Sequence, residues 1–209
     1  MASTADERDL EEAINYLVKQ FPSRPDWQEI IIRECKRFSL SWRSELRVND
    51  RPHEYRTPEI RVSVPGTSQD VFNKMLTDGT FSAPAMTHTP VYTGKIEELL
   101  PPGNPVIRLV DSARMIIYNV TLPQHVFFPG LIQDEVKGEA DGVYVVVSGK
   151  GKGNLAWFNE RFGRALFTGI LERFQFALSR AAAQAAPSGQ TFPTRDRATL
   201  LAPDFSARF

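Results

Sequence analysis

A long amphipathic helix near the C-terminus constrains the fold more than any other feature. After Gly153, apolar side chains recur at helical spacing on one side: Leu155, Phe158, Phe162, Leu166, Phe167, Ile170, Leu171, Phe174 and Leu178. Fully burying one such side chain contributes roughly 1.5 to 3 kcal/mol. We therefore expect a helix from about residue 154 to 186, covered along its apolar side by another layer of structure.

Strand-like runs precede this helix and supply that layer. Apolar and polar residues alternate near residues 60–64, and further runs cover residues 91–99, 105–110, 115–122, 126–136 and 143–149. Short turns separate the later runs, which is typical of an antiparallel meander. Pro129-Gly130 interrupts one run and should bulge or break it. The fold class predicted is α+β, with an antiparallel sheet packed on the long helix.

The first 48 residues are expected to form a helical segment with one strand. Apolar spacing predicts helices over about 5–20 and from Asp26 to near Phe38, followed by a strand over 40–48. Residues 49–58 are polar, carry two prolines and read as a surface connection. The main domain is then 59–186. Residues 187–209, rich in Pro, Ser, Gly and Thr, read as a loosely held tail.

Composition narrows the classes of partner. The 209 residues carry 25 basic and 25 acidic side chains, and no basic face is visible, which argues against nucleic acid. No run approaches the roughly 20 apolar residues of a membrane span, and the N-terminus lacks a signal-peptide pattern, so a cytoplasmic location is expected. One cysteine and three scattered histidines, His53, His88 and His125, predict neither a metal site nor a bound cofactor.

The order of elements from about residue 59 to 186 resembles the helix-grip arrangement of the START-like (SRPBCC) superfamily. A strand, a short helix, a run of antiparallel strands and a long closing helix follow one another in that order. The resemblance implies a curved sheet wrapped around the last helix, with an apolar or aromatic ligand in the cavity between them. The N-terminal helical appendage and the Pro129-Gly130 interruption depart from the family pattern.

The candidate ligand residues are those that this arrangement would bring to the cavity: Tyr118, Phe127, Phe128, Trp157, Phe158, Phe162 and Leu166. Alternation over 115–122 puts Tyr118 on one face and Asn119 and Thr121 on the other, and the pattern leaves open which face lines the cavity. His125, Tyr118 and Asp134 are the candidate acid–base residues. Arg108, Asp111 and Arg114 could reach into a pocket, but charged residues at strand ends are usually surface groups.

A glycine-rich segment between the last strand and the long helix permits a further hypothesis. Gly149, Lys150, Gly151, Lys152 and Gly153 stand where a loop could hold an anion at a helix N-terminus. The alternative is a sharp turn with solvated lysines, because neither the Walker spacing nor a following Rossmann strand is present.

Three functions follow from these observations. The first is binding of a small hydrophobic or amphipathic molecule between the sheet and the C-terminal helix. The second is a protein-interaction module, such as one of a bacterial secretion or effector system, in which the first two helices and the tail dock a partner or a second copy. The third is an enzyme acting on a ligand held in the same cavity. A closed apolar cavity would favour the first, and a packed interior with an exposed patch the second.

Overall fold

The structure is a computed structural model that describes residues 4–39, 52–62, 66–152 and 156–185. The helices are α1 (Thr4–Val18), α2 (Pro25–Arg37), α3 (Ser68–Thr77) and α4 (Ala156–Ala185), with a 3-10 turn at Gly79–Phe81. The strands are β1 (Pro52–Arg56), β2 (Ile60–Val62), β3 (Ile96–Leu99), β4 (Asn104–Asp111), β5 (Ile116–Thr121), β6 (Gly130–Glu139) and β7 (Gly142–Lys152).

The strands form one antiparallel sheet in the order β1-β7-β6-β5-β4-β3. β3 to β7 follow one another as a meander, as the turn spacing predicts. β1 and β2 pair with opposite ends of β7, so that Pro52 lies opposite Lys152 and Ile60 opposite Val145. β6 begins at Gly130, directly after Pro129, which confirms the break predicted at this dipeptide.

The inner face of the sheet, the side turned toward α4, carries the main core. Phe167, Ile170 and Phe174 of α4 are almost fully buried there, in one cluster with Val145 and Val147 of β7. The buried side of α3, Val71, Phe72 and Met75, belongs to the same cluster. The predicted α+β helix-grip architecture, with a long helix held by an antiparallel sheet, is therefore confirmed.

The N-terminal helices cover the outer face of the sheet. Leu17, Trp27 and Ile31 are buried in one cluster with Ile107 and Leu109 of β4. Most of β4 is buried on both sides, because its inward and outward residues are both apolar or fully enclosed. The helical segment expected as an appendage is therefore a layer of the same domain, and the sheet lies between two helical layers.

One predicted connection is wrong in its described part. Residues 52–56 form β1, in which His53 and Tyr55 are buried and alternate with exposed Glu54 and Arg56. The prolines at 52 and 58 begin and follow the strand, where proline is tolerated, and do not interrupt its ladder. The predicted strand at 40–48 and the tail at 187–209 lie outside the described residues.

Candidate ligand site on the inner face of the sheet

Tyr55 fills the space between the edge of the sheet and α4. A side-chain Cβ at Gly149 of β7 would overlap the Tyr55 ring, and one at Gly163 of α4 would lie 2.8 Å from ring atoms. The same ring stacks on Phe167, with centroids 6.2 Å apart and planes inclined by 22°. The two glycines therefore let an aromatic side chain lie flat between strand and helix.

This placement corrects the interpretation of the glycine-rich segment. Gly149 to Lys152 belong to β7 and pair with both β1 and β6, so they form neither a loop nor a turn. Their main-chain N–H groups point toward neighbouring strands and do not converge on one point, as an anion site requires. The anion hypothesis depends on a loop, and the described part of this segment is a strand. Gly153 lies outside the described residues.

A small pocket, called here the inner-face pocket, opens beside Tyr55 at the end of the sheet. Its lining residues are Tyr55, Thr121, His125, Phe127, Gly130, Leu131, Ile132, Gly149 and Lys150. The volume open to the centre of a water molecule is about 20 Å³, which is room for about one water. Among the predicted site residues, it brings together His125, Phe127, Gly149 and Lys150.

Residues 122–129 form the loop that carries His125 and Phe127 into the pocket. Thr121 closes its base, since the Thr121 hydroxyl donates to the Gly130 carbonyl at 3.0 Å and accepts from the Gly130 N–H at 2.7 Å. Inside the loop, the His125 N–H donates to the Leu122 carbonyl at 2.8 Å, and the Phe128 N–H donates to the His125 carbonyl at 2.9 Å. Two successive turns therefore fix the His125 backbone.

The His125 side chain is held and largely enclosed. Its Nδ1 accepts the Phe127 N–H at 3.1 Å, and its ring centroid lies 5.8 Å from that of Phe127. Only 8% of the residue is exposed. Burial disfavours the charged ring and lowers the His125 pKa to about 3, so the imidazole is neutral at neutral pH.

A buried polar cluster lies farther along the same face, centred on Arg108. Arg108 is fully buried and donates to Glu97 Oε2 from Nε at 3.0 Å and from Nη2 at 2.6 Å. Its Nη1 donates to Ser82 Oγ at 2.8 Å and to Asn119 Oδ1. Lys95 Nζ donates to Glu97 Oε1 at 3.2 Å. The interpretation of Arg108 as a surface group is wrong, because its position within β4 turns it toward the inner face.

Asp134 of β6 joins the cluster through Asn119. Asn119 Nδ2 donates to Asp134 Oδ2 at 2.7 Å and to the Ser82 carbonyl at 3.1 Å. Asp134 is fully buried, and among the described residues its Oδ1 has no hydrogen-bond partner. Burial raises the Asp134 pKa well above its usual value, against the opposing effects of Arg108 and of the Asn119 hydrogen bond. Burial therefore favours the neutral form of this carboxyl over its charged form.

Several predicted ligand residues lie away from the inner-face pocket. Tyr118 is on the outer face, edge-on to Phe21 and Trp27 at centroid distances of 5.1 and 5.5 Å. Phe128 is buried in the same outer cluster. This placement takes Tyr118 and Phe128 out of the candidate site.

The predicted residues of α4 have different surroundings. Leu166 packs against the inner core, and Phe162 is 41% exposed. The side chains of Trp157 and Phe158 lie outside the described residues. The helix face that is buried deepest follows Gly163, Phe167, Ile170 and Phe174, so the apolar stripe is centred beside Phe162 and not on it.

Sequence reasoning missed Tyr55, Thr121 and Ile132 as pocket residues. The signal for Tyr55 was its alternation with Glu54 and Arg56, which the neighbouring prolines obscured. Thr121 and Ile132 lie on the mixed face of their strands, and the structure settles that this mixed face, with Asn119 and Asp134, is the inner one.

The strand order and the contact of α4 with the inner face define an α+β helix-grip fold. No helix in the described ranges has both the length and the apolar character needed to cross a membrane. Nor do the described histidine, cysteine, aspartate and glutamate side chains gather into a group that could hold a metal ion.

No family model and no curated protein matches this chain. Among solved structures, Ara h 8.0201 has 11% sequence identity and a TM-score of 0.46, with 62% of this chain and 99% of that chain covered. The Aha1 dimer from Colwellia psychrerythraea has 10% identity and a TM-score of 0.44 over 61% and 96%. Ginseng major latex-like protein 151 from Panax ginseng has 11% identity and a TM-score of 0.38 over 65% and 99%.

Proposed function

We propose that this protein binds a small amphipathic molecule at the inner-face pocket. The observation that carries the proposal is the convergence of polar and aromatic residues there: Tyr55, Thr121, His125 and Phe127 line one opening. Ligand sites combine an apolar wall with a few fixed polar groups in this way.

The remainder of the described inner face is filled by side chains, which narrows the proposed location. Phe81 packs against Phe174 with ring centroids 4.7 Å apart, and Phe72 and Met75 are fully buried beside them. The cavity that the family resemblance implies along α4 is therefore replaced, over the described residues, by packed core. We therefore place the ligand at the inner-face pocket, at the end of the sheet that His125 lines.

The acid–base candidates favour binding over catalysis. A general base works best when its pKa lies near the operating pH, and burial lowers the His125 pKa to about 3. Asp134 is fully enclosed, and burial raises its pKa, so it offers no solvent-accessible carboxylate to a substrate. Both groups are better suited to forming fixed hydrogen bonds than to exchanging protons at neutral pH.

The helical segment does not support the protein-docking alternative. Ile14, Leu17 and Ile31 are buried against this chain's own sheet, so the apolar sides of α1 and α2 are occupied. A partner would have to use other surfaces, such as the exposed Phe176 of α4. The ligand proposal accounts for the arrangement of the inner face, and the docking alternative does not.

An amphipathic fluorescent probe, 1-anilinonaphthalene-8-sulfonate, tests the proposal. Because the pocket has room for about one water, the probe needs more space than the parent chain offers, and Phe127→Ala, which removes the bulk of a lining residue, should strengthen binding. Val126→Ala is the matched control, since Val126 is in the same loop but 54% exposed and outside the pocket lining. We expect its dissociation constant to stay within about twofold of the parent value.

The parent chain and both variants must melt cooperatively, because this probe also binds partly folded states. Absence of saturable binding to the parent and to Phe127→Ala would contradict the proposal. An equal change in both variants would also contradict it, since the effect would then not come from the pocket.

A further inference from the structure

The loop around the pocket fixes which nitrogen of His125 carries a proton. Nδ1 accepts the Phe127 N–H at 3.1 Å, so its lone pair is used and it carries no hydrogen. A neutral imidazole has one protonated nitrogen. The hydrogen therefore lies on Nε2, which makes the opposite edge of the ring a hydrogen-bond donor.

This donor has no partner within the part of the chain that the structure describes. The bond from Phe127 is the hydrogen bond that the His125 side chain makes there, and Nε2 is not one of the fully enclosed side-chain atoms that lack a partner. The neighbouring Thr121 hydroxyl is already engaged twice by Gly130 and does not compete for the donor. His125 lines the inner-face pocket, so Nε2–H is the side-chain donor that this residue can offer to a molecule there.

We propose that His125 Nε2–H donates a hydrogen bond to an oxygen acceptor of the bound molecule, a ketone, ester or carboxylate oxygen carried on an apolar body. This inference deepens the proposed function and rests on it. Ile132 supplies apolar surface for the body of the ligand, and His125 selects its polar end. A ligand without the oxygen leaves a desolvated donor unpaired, so we expect it to bind about tenfold more weakly.

The first test needs no ligand. Long-range proton–nitrogen NMR on the full chain with ¹⁵N-labelled histidine reports the tautomer of each ring, and His125→Gln identifies the His125 signals. We expect the Nε2–H tautomer, unchanged between pH 5 and pH 8, because burial lowers the His125 pKa. An Nδ1–H tautomer, or titration near the ordinary histidine pKa, would overturn the assignment.

The second test compares two probes of nearly equal size, 2-acetonaphthalene and 2-ethylnaphthalene, of which only the first carries a carbonyl oxygen. The parent should bind the ketone about tenfold more tightly. His125→Phe keeps an aromatic ring but removes the donor, and should bind both probes with equal affinity. His88→Phe is the control, because the His88 side chain is 79% exposed and pairs with Asp78 outside the pocket.

The outcomes separate the two proposals. Equal binding of both probes to the parent overturns the role of His125 and leaves the binding function standing. If neither probe binds the parent chain, both proposals are overturned. A third probe, 2-naphthoate, distinguishes the acceptors: tighter binding than the ketone, with a raised His125 pKa in the complex, identifies a carboxylate, and weaker binding identifies a neutral oxygen.

Discussion

The two faces of the same sheet differ sharply in chemistry although they alternate along the same strands. On the outer face, Ile107 and Leu109 pack with Trp27 and Ile31 in an apolar cluster. On the inner face, Arg108, between those two outward residues of β4, is fully buried in a network of hydrogen bonds. Burying polar groups costs free energy unless they are paired. The comparison shows that the inner face buries polar groups that are paired with one another, where the outer face buries an apolar cluster.

Replacing Arg108 by Met should give the largest loss of stability. The change leaves Glu97 and Asn119 buried without their main partner, and breaking a buried ion pair costs about 3 to 5 kcal/mol. Urea unfolding measures the free energy. Arg56→Met is the control, since Arg56 pairs with Glu59 at the surface with a side chain 53% exposed, and it should cost less than about 1 kcal/mol. Equal losses in both variants would show that the inner network is no more critical than a surface pair.

Truncating Ile31 on the outer face should affect stability but not the pocket. Ile31 is fully buried in the outer cluster, so Ile31→Ala should cost about 2 to 5 kcal/mol, while Ile31→Val should cost about 0.5 to 1.5 kcal/mol. Probe affinity at the inner-face pocket should stay within twofold in the valine variant. A large change in affinity at this small stability cost would mean that the two faces do not act independently.

The order of elements could be predicted from sequence, because hydrophobic period and turn residues are local signals. The spacing around Phe167 and Phe174 predicts a helix with one buried side, and alternation predicts most of β4 to β7. Strand β1 could not be predicted, since its burial depends on long-range pairing of Tyr55 with Gly149. The glycine-rich end of β7 predicts a loop or turn for the same reason. Gly149 leaves room for the Tyr55 ring, which is distant in sequence.

The candidate site could be predicted only in part. His125 and Phe127 were found because they adjoin an aromatic run and a Pro-Gly break. Alternation predicts two faces of β5 without saying which one is turned toward α4. Tyr118, predicted as a ligand residue, lies on the outer face beside Phe21 and Trp27. The sequence favours a surface position for Arg108. That prediction fails because the partners that pair with Arg108 in the interior, Glu97 and Ser82, are 11 and 26 residues away in sequence. No local pattern reveals pairing of that kind.

Two glycines of α4 test whether Tyr55 holds this helix to the sheet. A Cβ at Gly163 would lie 2.8 Å from the Tyr55 ring, whereas a Cβ at Gly169 meets no atom within 4 Å. Gly163→Ala should destabilise by about 1 to 3 kcal/mol through overpacking. Gly169→Ala should stabilise by up to about 1 kcal/mol, because alanine favours helix. Thermal and urea unfolding of both variants measure the difference, and similar effects would mean that Tyr55 does not hold α4 to the sheet.

The pH dependence of stability gives the finest test of the inner face. Burial raises the Asp134 pKa above its usual 3.8 in the folded chain, so above pH 4 the folded state retains a proton that the unfolded state has lost. The Asp134 contribution to the free energy of unfolding therefore falls as pH rises, by at most about 1.4 kcal/mol per pH unit. Asp134→Asn has no such proton, so the stability of the parent minus that of the variant should fall as the pH rises above the ordinary aspartate pKa. His125 acts in the opposite direction, between its folded pKa of about 3 and the ordinary histidine pKa of about 6.5, but both chains carry it and it cancels in the difference. A difference that is constant with pH would show that Asp134 is ionised in the folded chain, and the inner face would then hold a charge-balanced cluster of Lys95, Arg108, Glu97 and Asp134 in place of a neutral acid.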